Sequence, residues 1–180
     1  MAADDVTLVP YDPAWPDLFA QEAARLRLVL DPTQVVGIEH FGSTAVPGLI
    51  AKPIIDILVA ARSLAHAKAA FVAPINALGY VYWDDNPATD RMFFVKGMPP
   101  YGERRTHHVH ITETAGEMWQ RRLAFRDYLR AHPEEAECYA ALKCDFAQRH
   151  ATDREAYTAA KTDYVEALHR RMKLLPTSQV

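Results

Sequence analysis

A glycine–serine turn and a downstream acid are the residues of this sequence best suited to phosphate and metal chemistry. Gly42 and Ser43 follow the apolar segment 35–41, and Asp56 lies inside the apolar segment 54–59. Glycine at a turn lets a phosphate approach the backbone, where the serine hydroxyl and nearby N–H groups can donate to it. An aspartate on a facing strand can hold a metal ion against those phosphates. The alternative is a plain turn beside a structural acid, and it is disfavoured because an unpaired carboxylate in so apolar a strand is costly.

A histidine pair, His108 and His110, is the second feature with chemical potential. The two residues are two apart in a predicted strand, so both side chains project from one face. Imidazole favours a borderline metal such as Zn²⁺ or Mn²⁺ over Mg²⁺, and a histidine near neutral pH also suits a general base. A polar pair on an exposed sheet face remains an equal alternative. Glu39, close to the glycine–serine turn, is a further candidate metal ligand.

Basic side chains near these segments are candidates for phosphate binding, because phosphate ligands should be cationic and convergent. Lys52 lies between the glycine–serine turn and Asp56, and Arg105 precedes the histidine pair. Arg91 and Lys96 lie on a neighbouring predicted strand. Taken singly, each of these side chains is more typical of a surface ion pair.

Hydrophobic periodicity predicts an α/β (α+β) core followed by helices. Strands are expected at 6–9, 35–41, 54–59, 80–83, 91–96 and 106–112, and helices at 16–30 and 63–78. Capping-box patterns that begin at Thr114 and Thr152, together with Pro133, predict three more helices. We therefore expect a mixed-sheet core over residues 1–113 and a C-terminal helical bundle over 114–175, packed on the core as one module.

Composition and charge exclude several classes of protein. The 180 residues carry a formal net charge of -3, which does not favour a general nucleic-acid-binding protein. No apolar run approaches membrane-spanning length, and the N-terminal residues lack the features of a signal peptide, so we expect a cytoplasmic protein without a membrane partner. Cys138 and Cys144 have neither disulfide nor zinc spacing. Nothing in the sequence indicates an oligomeric state.

Four blocks of sequence carry a resemblance to a known family. They are GSTAVPGLIAKPIIDILV, HHVHI, FRDYLRAHPEEAECYAALK and YTAAKTDYV. The first block is similar to the nucleotidyltransferase superfamily, whose pattern is Gly-Ser, a gap, an acid, a hydrophobe and a second acid. All four together resemble the GrpB family over roughly residues 6–168. Members of that family are also found fused to dephospho-coenzyme A kinases.

The resemblance implies a minimal nucleotidyltransferase-like fold and a metal-dependent enzyme. Its substrates would be ATP or another nucleoside triphosphate and an unknown small acceptor, with a divalent Mg, Mn or Zn ion. Asp56, His108 and His110 would be the catalytic and metal-binding residues. In that superfamily a lysine and a tyrosine of the following helices often contact the triphosphate. The resemblance therefore implies phosphate-binding roles for Lys143, Tyr157 and Lys161.

One departure from the superfamily pattern keeps other functions open. Leu58 occupies the position of the second acid, whereas a two-metal site needs several carboxylates. A catalytically reduced member would bind a nucleotide or a phosphorylated metabolite without transferring anything. A ligase or hydrolase with a histidine-based metal is a second alternative, and a non-enzymatic interaction module is a third.

Overall fold

The computed structural model describes residues 6–174 and contains a five-stranded mixed sheet with helices on both faces. The strands are β1 (Val35–Phe41), β2 (Ile55–Ala61), β3 (Tyr80–Tyr82), β4 (Met92–Lys96) and β5 (His107–Glu113). The helices are α1 (Trp15–Val29), α2 (Leu64–Ala77), α3 (Glu117–Ala131), α4 (Pro133–Arg149), α5 (Arg154–Ala160) and α6 (Thr162–Leu174). This architecture confirms the predicted mixed sheet with flanking and C-terminal helices.

The strands lie in the order β1-β2-β5-β4-β3, and only the central pair β2 and β5 runs parallel. The parallel pair forms because the chain passes through α2, β3 and β4 between the two strands, which is the crossover that parallel pairing needs. The consequence for function is that two segments about fifty residues apart in sequence become nearest neighbours at the centre of the sheet.

Strict alternation of side chains gives the sheet two different faces. On β2, Ile55, Ile57 and Val59 belong to the main apolar core beneath α1 and α2. On the opposite face, Leu58 packs in a smaller cluster with Phe41 of β1 and Met118 of α3. The apolar run 54–59 is therefore explained by burial of both faces, as expected of a central covered strand.

The C-terminal helices pack against the loop that follows β1. Val46 and Leu49 from that loop share an apolar cluster with Leu129, Tyr139 and Leu168 of α3, α4 and α6. A cavity is thereby enclosed between the sheet face and the helices. The boundary between residues 113 and 114 as a domain division stays a prediction. Within residues 6–174, none of the helices has both the length and the apolarity needed to cross a membrane.

Four local expectations were wrong. The predicted strand at 6–9 is a single bridge between Val9 and Ala51, because Pro10 cannot continue a ladder. Gly116, not Thr114, precedes α3 and supplies no side-chain cap. Asp153 replaces Thr152 as the cap of α5, where its carboxylate accepts from the Ala156 N–H at 2.9 Å. The last predicted helix is also divided, and Lys161 stands between α5 and α6.

A buried ion pair joins α1 to the far edge of the sheet. The Glu22 carboxylate is buried, and it accepts hydrogen bonds from Lys96 Nζ at 2.6 Å and from the Tyr80 hydroxyl at 3.0 Å. Burial opposes ionisation of Glu22, but the hydrogen bond and charge of Lys96 outweigh it and lower the pKa of the carboxyl group. Lys96 is therefore a structural residue on the face opposite the cavity.

We expect Glu22→Gln to lower the free energy of unfolding by about 2 kcal/mol, because Lys96 would keep a largely desolvated charge without a counter-charge. Urea denaturation at pH 7 measures this change. The double variant Glu22→Gln/Lys96→Met is the control, and it should be more stable than the sum of the two single effects predicts. Additive effects would contradict the assignment of a coupled pair.

Candidate functional site

The pairing register of the three strands places the sequence-predicted residues side by side. Asp56 pairs with Phe41 on one side and with His108 on the other, and Leu58 pairs with His110. Residues two apart on a strand share a face, so His108 and His110 both project from the face that carries Asp56. That face looks into the cavity between the sheet and the C-terminal helices.

Asp56 and the two histidines form a compact three-residue cluster. One ligand atom from each residue lies within 4.8 Å of the others. His108 Nδ1 is 3.0 Å from Asp56 Oδ1. Burial would favour a neutral carboxyl group, but the hydrogen bond from His108 and the neighbouring histidines lower the pKa of Asp56. An ionised carboxylate can only accept, so Nδ1 of His108 carries the hydrogen and its Nε2 carries a lone pair.

The free nitrogens of this cluster suit a metal ion. His108 Nε2 and His110 Nδ1 are buried and have no hydrogen-bond partner among the described residues. Burial lowers the pKa of both imidazoles, so they are neutral near pH 7 and able to donate lone pairs. The bond from His108 to the carboxylate is the arrangement that usually orients a metal-ligating histidine. Two nitrogens and one oxygen fit Zn²⁺ or Mn²⁺ better than Mg²⁺.

Gly42 allows the glycine–serine turn to approach the acid. Its φ is +73°, and a Cβ atom built on it would lie only 2.5 Å from Asp56 Oδ2. Any side chain at this position would therefore both strain the backbone and displace the carboxylate. The turn continues into a short 3-10 helix, Ser43–Ala45.

A buried lysine fixes the glycine–serine turn to the helices. Lys143 of α4 is only 1% exposed, and its Nζ donates to Ser43 Oγ at 3.1 Å and to the backbone carbonyl of Ile50. Nearby, two more lysines lie over the ring of Tyr157, with Lys161 Nζ 4.2 Å and Lys52 Nζ 5.1 Å from its centroid. Three ammonium groups thus meet at the end of the cavity that Gly42 and Ser43 form.

These lysines are held close together without enough negative charge to balance them. Burial, and after it the charges of neighbouring cations, lower the pKa of Lys52 and of Lys143 to about 7 each. Burial lowers the pKa of Lys161 to about 8, against the opposing attraction of Asp56. A phosphate chain placed among them would relieve this repulsion and return the three pKa values towards their usual range.

The cavity has a volume of about 600 Å³, which lies in the range of small-molecule sites. Among the described residues, seven cationic side chains line it against two carboxylates, Asp56 and Glu155. Its charge therefore favours an anionic ligand with several negative groups. Ten of the residues predicted from sequence line it, and they are Gly42, Ser43, Lys52, Asp56, Arg105, His108, His110, Lys143, Tyr157 and Lys161.

Glu39 was predicted as a metal ligand, and the structure does not bring it to the three-residue cluster. It lies on β1 with its carboxylate 2.8 Å from Nη1 of Arg126, a residue of α3. The same nitrogen donates to the His40 carbonyl. Glu39 therefore serves to hold α3 on the sheet rather than to complete the metal ligands.

Sequence reasoning missed two cavity residues, Arg122 of α3 and Arg154 of α5. Both stand on helices whose rotation about their own axes is set by tertiary packing. The doublet Arg121-Arg122 was the available sequence signal for a cavity arginine. Residues adjacent on a helix point in different directions, so the two arginines cannot both pair with the same partner.

His40 gives the site region a pH-dependent stability. The imidazole is buried, stacks on Phe19 with 4.8 Å between ring centroids, and has Nε2 3.0 Å from Thr44 Oγ1. Burial lowers the pKa of His40 from 6.5 to about 4, with Arg130 and Arg126 adding to the effect and Asp56 opposing it.

Because the folded pKa of His40 is depressed, its contribution to stability is complete above pH 6.5 and is lost as the pH falls towards 4. The free energy of unfolding of the parent protein should fall between pH 7 and pH 5 partly because His40 becomes protonated on unfolding. In His40→Gln we expect this fall to be smaller by about 2 kcal/mol. Urea denaturation at the two pH values measures it. An unaltered pH dependence in His40→Gln would contradict the burial argument.

Comparison with known proteins gives consistent matches along nearly the whole chain. A family model described as GrpB protein matches residues 5–171. A UPF0157 protein of Pseudomonas aeruginosa is 54% identical over 140 residues, which cover 78% of this chain and 56% of that protein. A UPF0157 protein of Bacillus subtilis is 42% identical, with 79% of this chain and 40% of that protein covered. The chain thus spans about half the length of these relatives.

A solved structure shares the fold. The crystal structure of the conserved protein GrpB from Enterococcus faecalis has a TM-score of 0.80 and 33% sequence identity, and the match covers 92% of this chain and 96% of that one. A more distant relative is the dephospho-CoA kinase of Mycobacterium bovis, which is 31% identical over 77% of this chain and 39% of the kinase. The match to part of a kinase agrees with the fusions that the resemblance implied.

Proposed function

The chain belongs to the GrpB family, and we propose that it is a metal-dependent transferase that moves a nucleotidyl group from a nucleoside triphosphate to a small acceptor. The observation that carries the proposal is the meeting of Asp56, His108 and His110 within 4.8 Å, beside a glycine–serine turn in a strongly cationic cavity. Phosphate-binding and metal-binding groups are needed together in this chemistry, and in this cavity they are adjacent.

The phosphates would lie at the lysine-rich end of the cavity. Gly42 exposes backbone at a position where a side chain would collide with Asp56, and Ser43 is already oriented by Lys143. Lys52 and Lys161 both contact the Tyr157 ring, and this contact restricts their positions before a ligand binds. Arg105 lines the same cavity. Fixed cations avoid the cost of ordering long side chains during binding.

Asp56, His108 and His110 would hold the metal ion. When bound, the ion would neutralise charge on the phosphoryl group that is transferred. The task of the protein residues is orientation: Asp56 keeps His108 in the tautomer whose Nε2 lone pair is free, and Phe93 contacts both imidazole rings at centroid distances of 5.1 and 4.5 Å. The apolar ring also excludes water from the histidines.

Calorimetric titration of the metal-stripped protein with ATP and other nucleotides, with Mg²⁺, Mn²⁺ or Zn²⁺ added in turn, tests this proposal. We expect nucleotide binding that requires the metal, with Mn²⁺ or Zn²⁺ more effective than Mg²⁺. In His110→Ala, added metal should no longer strengthen nucleotide binding, and the nucleotide should bind weakly. Failure of every nucleotide to bind with every metal would contradict the proposal.

A second candidate function, nucleotide binding without transfer, is favoured by one observation. Leu58 stands where a second acid is expected, and it is fully buried against Phe41 and Met118. Glu39, which pairs with Leu58 across the strands, is bound to Arg126 and does not replace the missing carboxylate. Pyrophosphate release from ATP, measured with a small-molecule cell extract as acceptor source, separates the two functions. Release that disappears in Asp56→Ala supports transfer, whereas nucleotide binding without release supports a binding protein.

A further inference from the structure

A pair of arginines stands at the end of the cavity away from the glycine–serine turn, and Lys161 reaches this end as well. Arg91 precedes β4 and Arg122 belongs to α3, and both line the main cavity and a side pocket of about 310 Å³ that opens from it. The proposed phosphate chain and metal ion do not use either residue.

The strand register separates this arginine pair from the glycine–serine turn. Met92 pairs with Ile111, so Arg91 lies level with Thr112, four residues beyond His108 on β5. At about 3.3 Å per residue this is about 13 Å along the strand, and β1 and β4 are three strand spacings, or about 14 Å, apart. Asp56 and the histidines lie between the two ends.

Arg122 has a charge that the protein does not neutralise. Its side chain is solvent-accessible in the cavity wall, and it makes no hydrogen bond or ion pair with any residue of the described part of the chain. The adjacent Arg121 is bound instead to Glu117 and Glu166, at 2.7 and 2.5 Å. The third carboxylate of the side pocket, Asp90, is 3.3 Å from Arg91.

Arg91 adds a second unsatisfied group at the same place. Its Nε is buried and has no hydrogen-bond partner among the described residues. Although Arg122 is open to the solvent of the cavity, desolvation by the surrounding protein atoms, and then the charge of Arg91, lower its pKa. Two guanidinium groups that repel each other, with donors directed into a pocket, form a binding site for an oxyanion, because guanidinium donors match carboxylate and phosphate oxygens in geometry.

We infer that Arg91 and Arg122 bind the acceptor, and that the acceptor is a small molecule which presents an oxyanion, either a carboxylate or a phosphate. The inference rests on the proposed nucleotidyl transfer. In an in-line displacement the acceptor approaches from the side opposite the leaving pyrophosphate. With the pyrophosphate at the glycine–serine turn, beside Lys143, that side is the arginine end of the cavity.

An anionic acceptor also removes the need for a general base, so neither imidazole has to serve as one. One oxygen of the acceptor supplies the electron pair for a new bond to the α-phosphorus, while the bond from that phosphorus to the bridging oxygen breaks and pyrophosphate leaves with its electron pair. The acceptor oxygen carries no proton, so none has to be removed. His108 and His110 are then free to act as metal ligands only.

The test uses the protein saturated with Mn²⁺ and a non-hydrolysable ATP analogue, titrated calorimetrically with inorganic phosphate and, separately, with succinate. We expect one of these anions to bind and Arg122→Gln to weaken it at least tenfold, with the analogue affinity unchanged. Arg91→Gln provides a second, independent variant. Arg27→Gln, an exposed arginine on α1, is the matched control and should bind the anion as the parent does.

The outcomes separate the sources of the anion and the two levels of the proposal. Binding of phosphate alone indicates a phosphorylated acceptor, and binding of succinate alone indicates a carboxylic acid. The inference is overturned if neither anion binds the loaded protein, or if Arg122→Gln weakens the analogue instead, which would place the arginines in the nucleotide site and leave the proposed function standing. Failure of the analogue to bind at all is seen before any anion is added, and it overturns both.

Discussion

Replacing Asp56 by alanine is expected to abolish metal binding in the cavity while leaving the fold intact. The carboxylate is the only oxygen ligand of the three-residue cluster, and it also holds His108 in the required tautomer. Loss of a partner that only orients a ligand typically costs 10- to 100-fold in metal affinity, so loss of the ligand itself should cost more than about 100-fold. Metal-dependent nucleotide binding should disappear with it.

The stability of Asp56→Ala is the informative companion measurement. The Asp56 carboxylate stabilises the fold only modestly, because burial opposes the ionised form that the hydrogen bond from His108 favours. We expect the free energy of unfolding to change by less than about 1 kcal/mol. Calorimetric titration with Mn²⁺ and Zn²⁺ and urea denaturation are the two measurements. Asp85→Ala, which removes an exposed acid from the loop after β3, is the control. A variant that retains metal binding, or one that fails to fold, would show that Asp56 is a structural acid.

The central strands illustrate what the sequence could predict. The apolar run 54–59 with a single acid predicts a covered strand, and the spacing of His108 and His110 predicts that they share a face. What neither pattern contains is the partner of each strand. The parallel register that sets Asp56 opposite His108 depends on the crossover through α2 and two strands, so only the resemblance to a family suggested that these residues meet.

The site residues on the C-terminal helices show what local sequence patterns could not predict. Lys143, Tyr157 and Lys161 were candidates through family resemblance, whereas Arg122 had no local signal that separated it from Arg121. Which arginine of the doublet enters the cavity depends on how α3 rests on the sheet, and this is fixed by the Arg126–Glu39 ion pair and the apolar contacts of Met118. The same ion pair explains why Glu39 lies away from the proposed metal ligands. Its partner Arg126 is 87 residues away in the sequence, so no local pattern around Glu39 indicated the contact.

A glycine pair in the loop after β1 permits a second decisive experiment. Gly42 and Gly48 both have a positive φ, +73° and +77°. Alanine at such a φ costs roughly 1–3 kcal/mol. They differ in space, because an added Cβ meets Asp56 Oδ2 at 2.5 Å from Gly42 and meets nothing within 4 Å from Gly48.

The matched variants Gly42→Ala and Gly48→Ala therefore separate backbone strain from damage to the site. Both should unfold at lower urea concentration, and Gly42→Ala should in addition lose about 100-fold in metal affinity, because the carboxylate must rotate away from His108. Gly48→Ala should bind metal as the parent does. Equal metal affinity in the two variants would mean that the carboxylate has room to move without leaving its ligand position. Equal loss in both would mean that the loop as a whole, rather than the close approach of Gly42 to Asp56, determines the geometry of the site.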